Sequence, residues 1–291
     1  MRLSTHCSVT QLTSPRPVEQ ADMHLSHRLL NRELVKSTPI TLGEFQTSLS
    51  KSRPPAGWGN RLGAQKPTNH FRAKFNCAYV AVAFSGGVDS TCLLHLLNQT
   101  TRESDDAELR NLSLLAMHVD HGFQKTSPQT AIACKTFASK RSIPYCTLKI
   151  PWWEPPYPPL PTGSGLEEIG RAARYRILFD AMTREGISVL LMAHHLDDQI
   201  ETGLMRLARG SGIMGASGMR PVRRWGMGSI TGAGSANEEL ERWFYGVSGM
   251  NRWVSRPLLE FPKVRTLSAM LYFPPFHHVV VDTLACNGQS E

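Results

Sequence analysis

Four short apolar runs, each followed by a stretch of helical character, constrain this chain more than any other feature. YVAVAF (79–84), LSLLAMHV (112–119), PYCTLKI (144–150) and SVLLMA (188–193) are nearly continuous in apolar, β-branched and aromatic residues. Strands buried on both faces read this way. After them come TCLLHLL (91–97), residues 128–141 entered at Pro128, Leu166 to Arg184, and Asp197 to Arg209, all with helical patterning. Between Leu166 and Arg184, the residues Ile169, Ala172, Ala173, Ile177 and Leu178 form one stripe. Strands alternating with helices predict a doubly wound α/β fold, a parallel sheet with right-handed crossovers. Ligands in such sheets sit beyond the carboxyl ends of the strands.

The flanks read differently. Residues 1–74 are expected to form an N-terminal arm and linker, partly disordered. Within it TLGEFQTSL (41–49) suits a short amphipathic helix, with Thr41 as N-cap and Glu44 closing a capping box. Residues 51–70 are rich in Pro, Gly and Asn and read as a linker. The nucleotide-type domain is expected over 75–265, and 266–291 as an atypical C-terminal tail. The six prolines of PWWEPPYPPLPTGSG (151–165) exclude helix and central strand. Residues 226–236, rich in Gly, Ser and Ala, are expected to be a mobile loop.

Composition excludes several classes. Of 291 residues 41% are hydrophobic and 19% charged, too little charge for a coiled coil or an acidic disordered chain. No apolar run reaches the roughly 18–20 residues of a membrane span, and the start lacks the apolar core of a secretory signal. The chain is expected to be intracellular, in cytoplasm or mitochondrion, since Arg2 and Arg16 alone make a weak presequence. Six cysteines without a C-x-x-C pair exclude a disulfide scaffold and a zinc ribbon. The net charge of +8 is uneven. Residues 1–74 hold 11 basic and 4 acidic groups, and residues 206–265 hold 10 and 4. The segment between is almost balanced. Ordinary surface charge is one reading, and a polyanion lying across the middle segment is the other.

Three motifs fall at strand ends. Ser85-Gly86-Gly87-Val88-Asp89-Ser90 joins the first strand to its helix. Two glycines allow a tight turn and close approach of a ligand. Backbone N–H groups of the turn and helix start then favour an anion, and Ser85 and Ser90 add hydroxyls. Asp89 suits an anion site only if a cation is present, and Mg2+ between Asp89 and phosphates meets that need. A plain capped βα turn is the bland alternative. The second strand ends in His118-Val119-Asp120-His121-Gly122, and the fourth in AHHLDDQIET (193–202). This is not the Walker A pattern.

The string resembles the loop of the ATP pyrophosphatases of the PP-loop superfamily, the adenine nucleotide alpha hydrolase-like fold. With HVDHG, AHHLDDQIET, RGSG (209–212), LEEIGRAARY (166–175) and RPLL (256–259) in this order, the chain resembles the tRNA(Ile)-lysidine synthases over roughly residues 79–262. The resemblance implies ATP-dependent adenylation of the C2 oxygen of the wobble cytidine of a tRNA(Ile) with a CAU anticodon. Attack by the ε-amine of free lysine follows, giving lysidine, AMP and pyrophosphate. It implies ATP bound at Ser85, Gly86, Gly87, Val88, Asp89 and Ser90, and Mg2+ held by Asp89 and Asp198. Arg174 is the candidate phosphate clamp. Asp120, Asp198 or His194 is the candidate acceptor of the lysine proton. A homodimer is among the expected assemblies.

Competing readings stay beside these. Asp197 reads as the N-cap of the helix at 197–209. His118, His121, His194 and His195 could suggest zinc, although no cysteine ligand lies nearby in sequence. Trp152, Trp153, Trp225, Trp243 and Trp253 could stack bases or pack in the core. tRNA thiolation uses the same loop, but normally with catalytic cysteines. A non-catalytic ATP- or RNA-binding remnant is the third reading. It is motivated by LEFPKVRT leading into a tail without the helical segment that family members carry there.

Overall fold

A computed structural model of the chain describes residues 37–59, 78–124, 126–161, 165–210, 212, 217–227 and 245–271. The four apolar runs form β1 (Ala78–Ala83), β2 (Leu112–Asp120), β3 (Tyr145–Lys149) and β4 (Val189–Leu191). Two further strands, β5 (Val222–Arg224) and β6 (Trp253–Ser255), complete one sheet in the order β3-β2-β1-β4-β6-β5. All neighbours run parallel except β5, which lies antiparallel to β6 at the edge.

Both faces of the sheet are covered, and the strand alternation shows how. Val80 and Val82 of β1 join one apolar cluster, while Ala81 between them joins the other. On β4, Val189 and Leu191 face the first cluster and Leu190 the second. The helices divide accordingly. The first cluster takes residues from α1 (Leu42–Lys51), α2 (Val88–Glu103), α3 (Ala107–Arg110) and α4 (Ser127–Ser139). The second is built on α5 (Leu166–Glu185) through Ala173, Ile177 and Leu178, with Ile169 and Ala172 of the same stripe only half-buried. Pro128 starts α4, where its missing N–H costs nothing. Gly186, left-handed at φ 60°, closes α5, and the N–H of Ile187 donates to Met182 O at 2.8 Å. The remaining helices are α6 (Leu196–Ala208), α7 (Gly246–Met250) and α8 (Lys263–Leu271).

Several expectations need correcting. Residues 37–59 are not an arm apart from the domain. Phe45, Leu49 and Trp58 are fully buried in the first cluster, because the amphipathic face of α1 needs an apolar surface. Thr41 does cap α1, and the Glu44 carboxylate returns to the Thr41 N–H as a capping box. The boundary at 265/266 cuts through α8, whose Leu267, Ala269 and Met270 belong to the same cluster. The N-cap of α6 is His195, not Asp197. His195 Nδ1 accepts from Asp198 N, while the Asp198 carboxylate accepts from His195 N. Asp197 turns outward and accepts from the N–H of Lys263 at 2.6 Å. The proline-rich run forms turns over 151–161, and the loop expected at 226–236 lies mostly outside the described residues.

Phe45→Ala tests whether α1 belongs to the cooperative unit. It should cost about 3–5 kcal/mol, read as a lower urea midpoint in a single transition. An unchanged midpoint would detach α1 from the domain.

Candidate active site

The carboxyl ends of β1, β2 and β4 open onto one cavity of about 640 Å3. Its floor is apolar, made of Ala83, Met117, Leu178 and Met192. Its polar walls bring together the three strand-end motifs: Ser85, Asp89 and Ser90 from the first, Asp120 and His121 from the second, His194 and Asp198 from the third. Arg174 of α5 closes one side. Among the expected site residues, Gly86 and Val88 do not line it. Val88 is buried under the first turn of α2, and Gly86 acts through backbone shape.

That shape needs glycine on two counts. Gly86 has φ +87°, and a Cβ there would stand 2.8 Å from Cys134 Sγ and 3.3 Å from Thr130 Cγ2. The loop is laced to itself. Ser85 Oγ lies 3.0 Å from Ser90 Oγ and accepts from Gly87 N, and the Ser90 and Thr91 hydroxyls both donate to Gly87 O. Gly87, the N-cap of α2, offers no side chain to the first-turn N–H groups. Those donors and the helix dipole favour an anion at this end.

An imidazole stands between two of the carboxylates. His195, buried, sits between Asp89 and Asp198. Asp89 Oδ2 is 3.6 Å from its Nε2, and Asp198 Oδ2 accepts from its backbone N–H at 2.9 Å. Because Nδ1 accepts from Asp198 N, the N–H of the ring is at Nε2, facing Asp89. The other oxygen of Asp89 accepts from the Thr266 hydroxyl of α8 at 2.6 Å.

The three other histidines of the cavity each have one ring nitrogen engaged. His118 is buried, with Nδ1 2.9 Å from Phe84 O, tying β2 to the loop. His121 Nε2 accepts from Arg174 Nε at 3.1 Å, and burial and that guanidinium push its pKa down to about 4. His194 Nδ1 accepts from Arg256 Nε at 3.2 Å, and burial and Arg256 push it down to about 4 as well. Its proton therefore sits on Nε2, which can donate but not accept. Arg256, the first residue of RPLL, is buried and also donates to Arg220 O, so it stands behind His194 and fixes its ring. Asp120 accepts from Gly122 N through Oδ1.

Among the described residues no group of three or more His, Cys, Asp and Glu side chains converges on a metal position. The zinc reading fails on that ground. Magnesium asks for less: one or two carboxylates, with waters and phosphate oxygens filling its shell. Asp89 and Asp198 beside an anion-binding loop fit that requirement.

Aromatic residues gather at the rim. His121, Phe123 and Trp152 are stacked in sequence, with centroids 5.5 and 5.6 Å apart. Trp152 Nε1 donates to His121 O, whereas Trp153 is exposed. Trp225 is core, packed with Tyr175, Phe179 and Tyr245. Trp253 is half-buried on β6, and Trp243 lies outside the described residues.

Residues 62–271 match the PP-loop domain family. The chain is similar to tRNA(Ile)-lysidine synthases. That of Pseudomonas aeruginosa is 38% identical over 184 residues, 62% of this chain and 38% of that protein. The Enterococcus faecalis enzyme is 36% identical over 151 residues, 52% and 30% of the two chains. The Novosphingobium aromaticivorans enzyme is 36% identical over 155 residues, 53% and 41%. The chain thus spans well under half the length of these curated relatives. Among solved structures, a U34-tRNA thiolase from Methanococcus maripaludis aligns over 85% of this chain and 74% of its own. Its TM-score is 0.48 and its identity 18%, a level that carries neither activity nor site.

The depressed histidines make a pH prediction. Their folded value of about 4 lies below the ordinary 6.5, so between those values the unfolded chain binds protons that the folded one refuses. Their contribution to stability is full above 6.5 and lost as pH falls toward 4. Urea unfolding should weaken over that window, and imidazole resonances of His121 and His194 should remain neutral at about pH 5.5. Protonation of both near 6 would contradict the geometry.

Proposed function

The chain belongs to the PP-loop family, and on that premise we propose that it is an ATP-dependent tRNA(Ile)-lysidine synthase-type ligase. The C2 oxygen of the wobble cytidine attacks the α-phosphate of ATP, and pyrophosphate leaves. The ε-amine of lysine, having lost a proton, then attacks C2, and AMP departs with the former C2 oxygen. The carrying observation is the shared cavity. It sets a loop suited to anions, three carboxylates and an arginine beyond the ends of parallel strands, over an apolar floor that suits a base.

The protein's own groups divide the work. First-turn N–H groups of α2 with Ser85 and Ser90 hold phosphate oxygens where negative charge develops. Arg174, steadied by His121, faces the same charge. Mg2+, held by Asp89 and Asp198, would supply charge neutralisation at the phosphates. His194 offers its Nε2 proton as a neutral donor, since Nδ1 is taken by Arg256. That removes it from the candidates for receiving the lysine proton. With Asp198 on the cation side, the acceptor is Asp120. The basic stretch 206–265, which exposes Arg209, Arg220 and Arg224, is the RNA-facing surface within the described residues. A tRNA substrate sets the chain inside the cell, and the bacterial relatives lend no support to a mitochondrial address. No described helix is long and apolar enough to cross a membrane. A homodimer is open to measurement of mass in solution.

Thiolation is disfavoured by the described cysteines. Burial holds the Cys134 thiol at about 12 and Cys146 at about 11, and drives Cys92 higher still, so none offers a thiolate at neutral pH.

Radiolabelled lysine, ATP, Mg2+ and a CAU-bearing tRNA(Ile) test the reading. Labelling of the tRNA should require ATP and fall at least about a hundredfold in Asp198→Ala, the scale of losing one transition-state contact. Asp120→Asn should lower the maximal rate with little change in ATP affinity. ATP binding without any labelled tRNA would replace the ligase by a nucleotide-binding remnant.

A further inference from the structure

We infer that Thr266 is a positioning residue for Asp89, and that α8 is thereby a working part of the nucleotide site. The inference rests on the reading above in one respect, that Asp89 serves the phosphate side of the cavity.

Thr266 is fully buried on the first turns of α8, and its hydroxyl lies 2.6 Å from Asp89 Oδ1, across 177 residues of sequence. The same hydroxyl is 2.8 Å from Lys263 O. A helical threonine ordinarily spends its proton on such a carbonyl one turn back. Here one proton has two acceptors, and the shorter contact is to the carboxylate, where charge assistance strengthens it. Asp89 Oδ2 faces His195 Nε2 at 3.6 Å. Each oxygen of the carboxylate thus has its own polar neighbour on the protein side, which restrains rotation about χ2 while Asp89 still lines the cavity.

The donor is itself fixed in place. The α8 N-terminus is capped by Asp197, and the N–H of Leu196 donates to Phe261 O, so α8 and α6 start from one joint. Arg265 pairs with Glu44 at 2.8 Å, and Ser268 donates to Ser37 O. These ties hold Thr266 relative to the α6 terminus that carries Asp198. The orientation of Asp89 therefore depends on α8, which shares a joint with the helix that carries Asp198. The positive end of its dipole also suits the two acids it meets, Asp89 and Asp197.

Titration calorimetry of the full chain with ATP, in Mg2+ and in EDTA, tests this without requiring turnover. Thr266→Val keeps the shape and removes the donor. It should weaken ATP binding about tenfold in Mg2+ and leave binding in EDTA unchanged, the scale of a lost hydrogen bond to a charged group. Thr266→Ser should restore the wild-type value. In an Asp89→Asn background the Val substitution should have no further effect on Mg2+-dependent affinity. Thr266→Ala takes the place of Val if the latter fails to fold. Equal Mg2+-dependent affinity in wild type and donor-less variants would overturn the inference, as would full additivity with Asp89→Asn. Wild-type binding of Mg-ATP without lysine transfer would sink the ligase reading and leave the role of Thr266 standing. A folded wild type that binds no Mg-ATP would end both.

Discussion

A parallel sheet buried on both faces leaves charge nowhere to go except beyond its strand ends. β1 is the centre of this constraint, with Val80 and Val82 turned to one cluster and Ala81 to the other. Parallel pairing makes all the carboxyl ends open on the same edge, so the polar residues after β1, β2 and β4 must share one space. Convergence of Asp89, Asp120 and Asp198 follows from topology before any question of chemistry arises. The cavity is the unfilled volume between three helix and loop starts that the sheet has aligned.

The groups in that space also hold the fold together. Asp198 caps its own helix with His195, Asp197 caps α8, and His118 secures the loop to β2. Such double use limits what substitution can reveal. A variant at Asp198 removes a cap worth about 1 kcal/mol together with a site carboxylate. The loss of function must then be judged against the loss of stability. His194 and His121 are the cleaner case. Each has an arginine on one ring nitrogen, which sets the tautomer, and burial together with that arginine keeps the ring neutral.

Strong local patterns were legible in the sequence, and features made by tertiary contact were not. YVAVAF and LSLLAMHV read as buried strands because both faces are covered, and SGGVDS read as a turn because Gly86 has no alternative there. The capping box at Thr41 was legible for the same reason, being four residues long. By contrast β5 and β6 are three residues each, too short to show a period, and their pairing depends on β4. The choice of His195 over Asp197 as N-cap was hidden because Asp197 is drawn away by Lys263, distant in sequence. The packing of α1 and α8 is not legible because each is only a few turns long, both lie against α2, and the tie between them, Glu44 to Arg265, is distant in sequence.

That last pairing has a temporal consequence. Glu44 meets Arg265 across 221 residues, and Ser37 meets Ser268 across 231. A ribosome making this chain releases α1 before the six strands of the described sheet and α8 after them. Until then the apolar face of α1 lacks part of its cover and Asp89 lacks its hydroxyl partner. Contacts this distant close late and slowly. Vectorial synthesis would thus deliver a domain whose nucleotide loop is shaped early and whose acidic side chain is oriented only at the final stage. A half-made chain would have the cradle without a settled carboxylate.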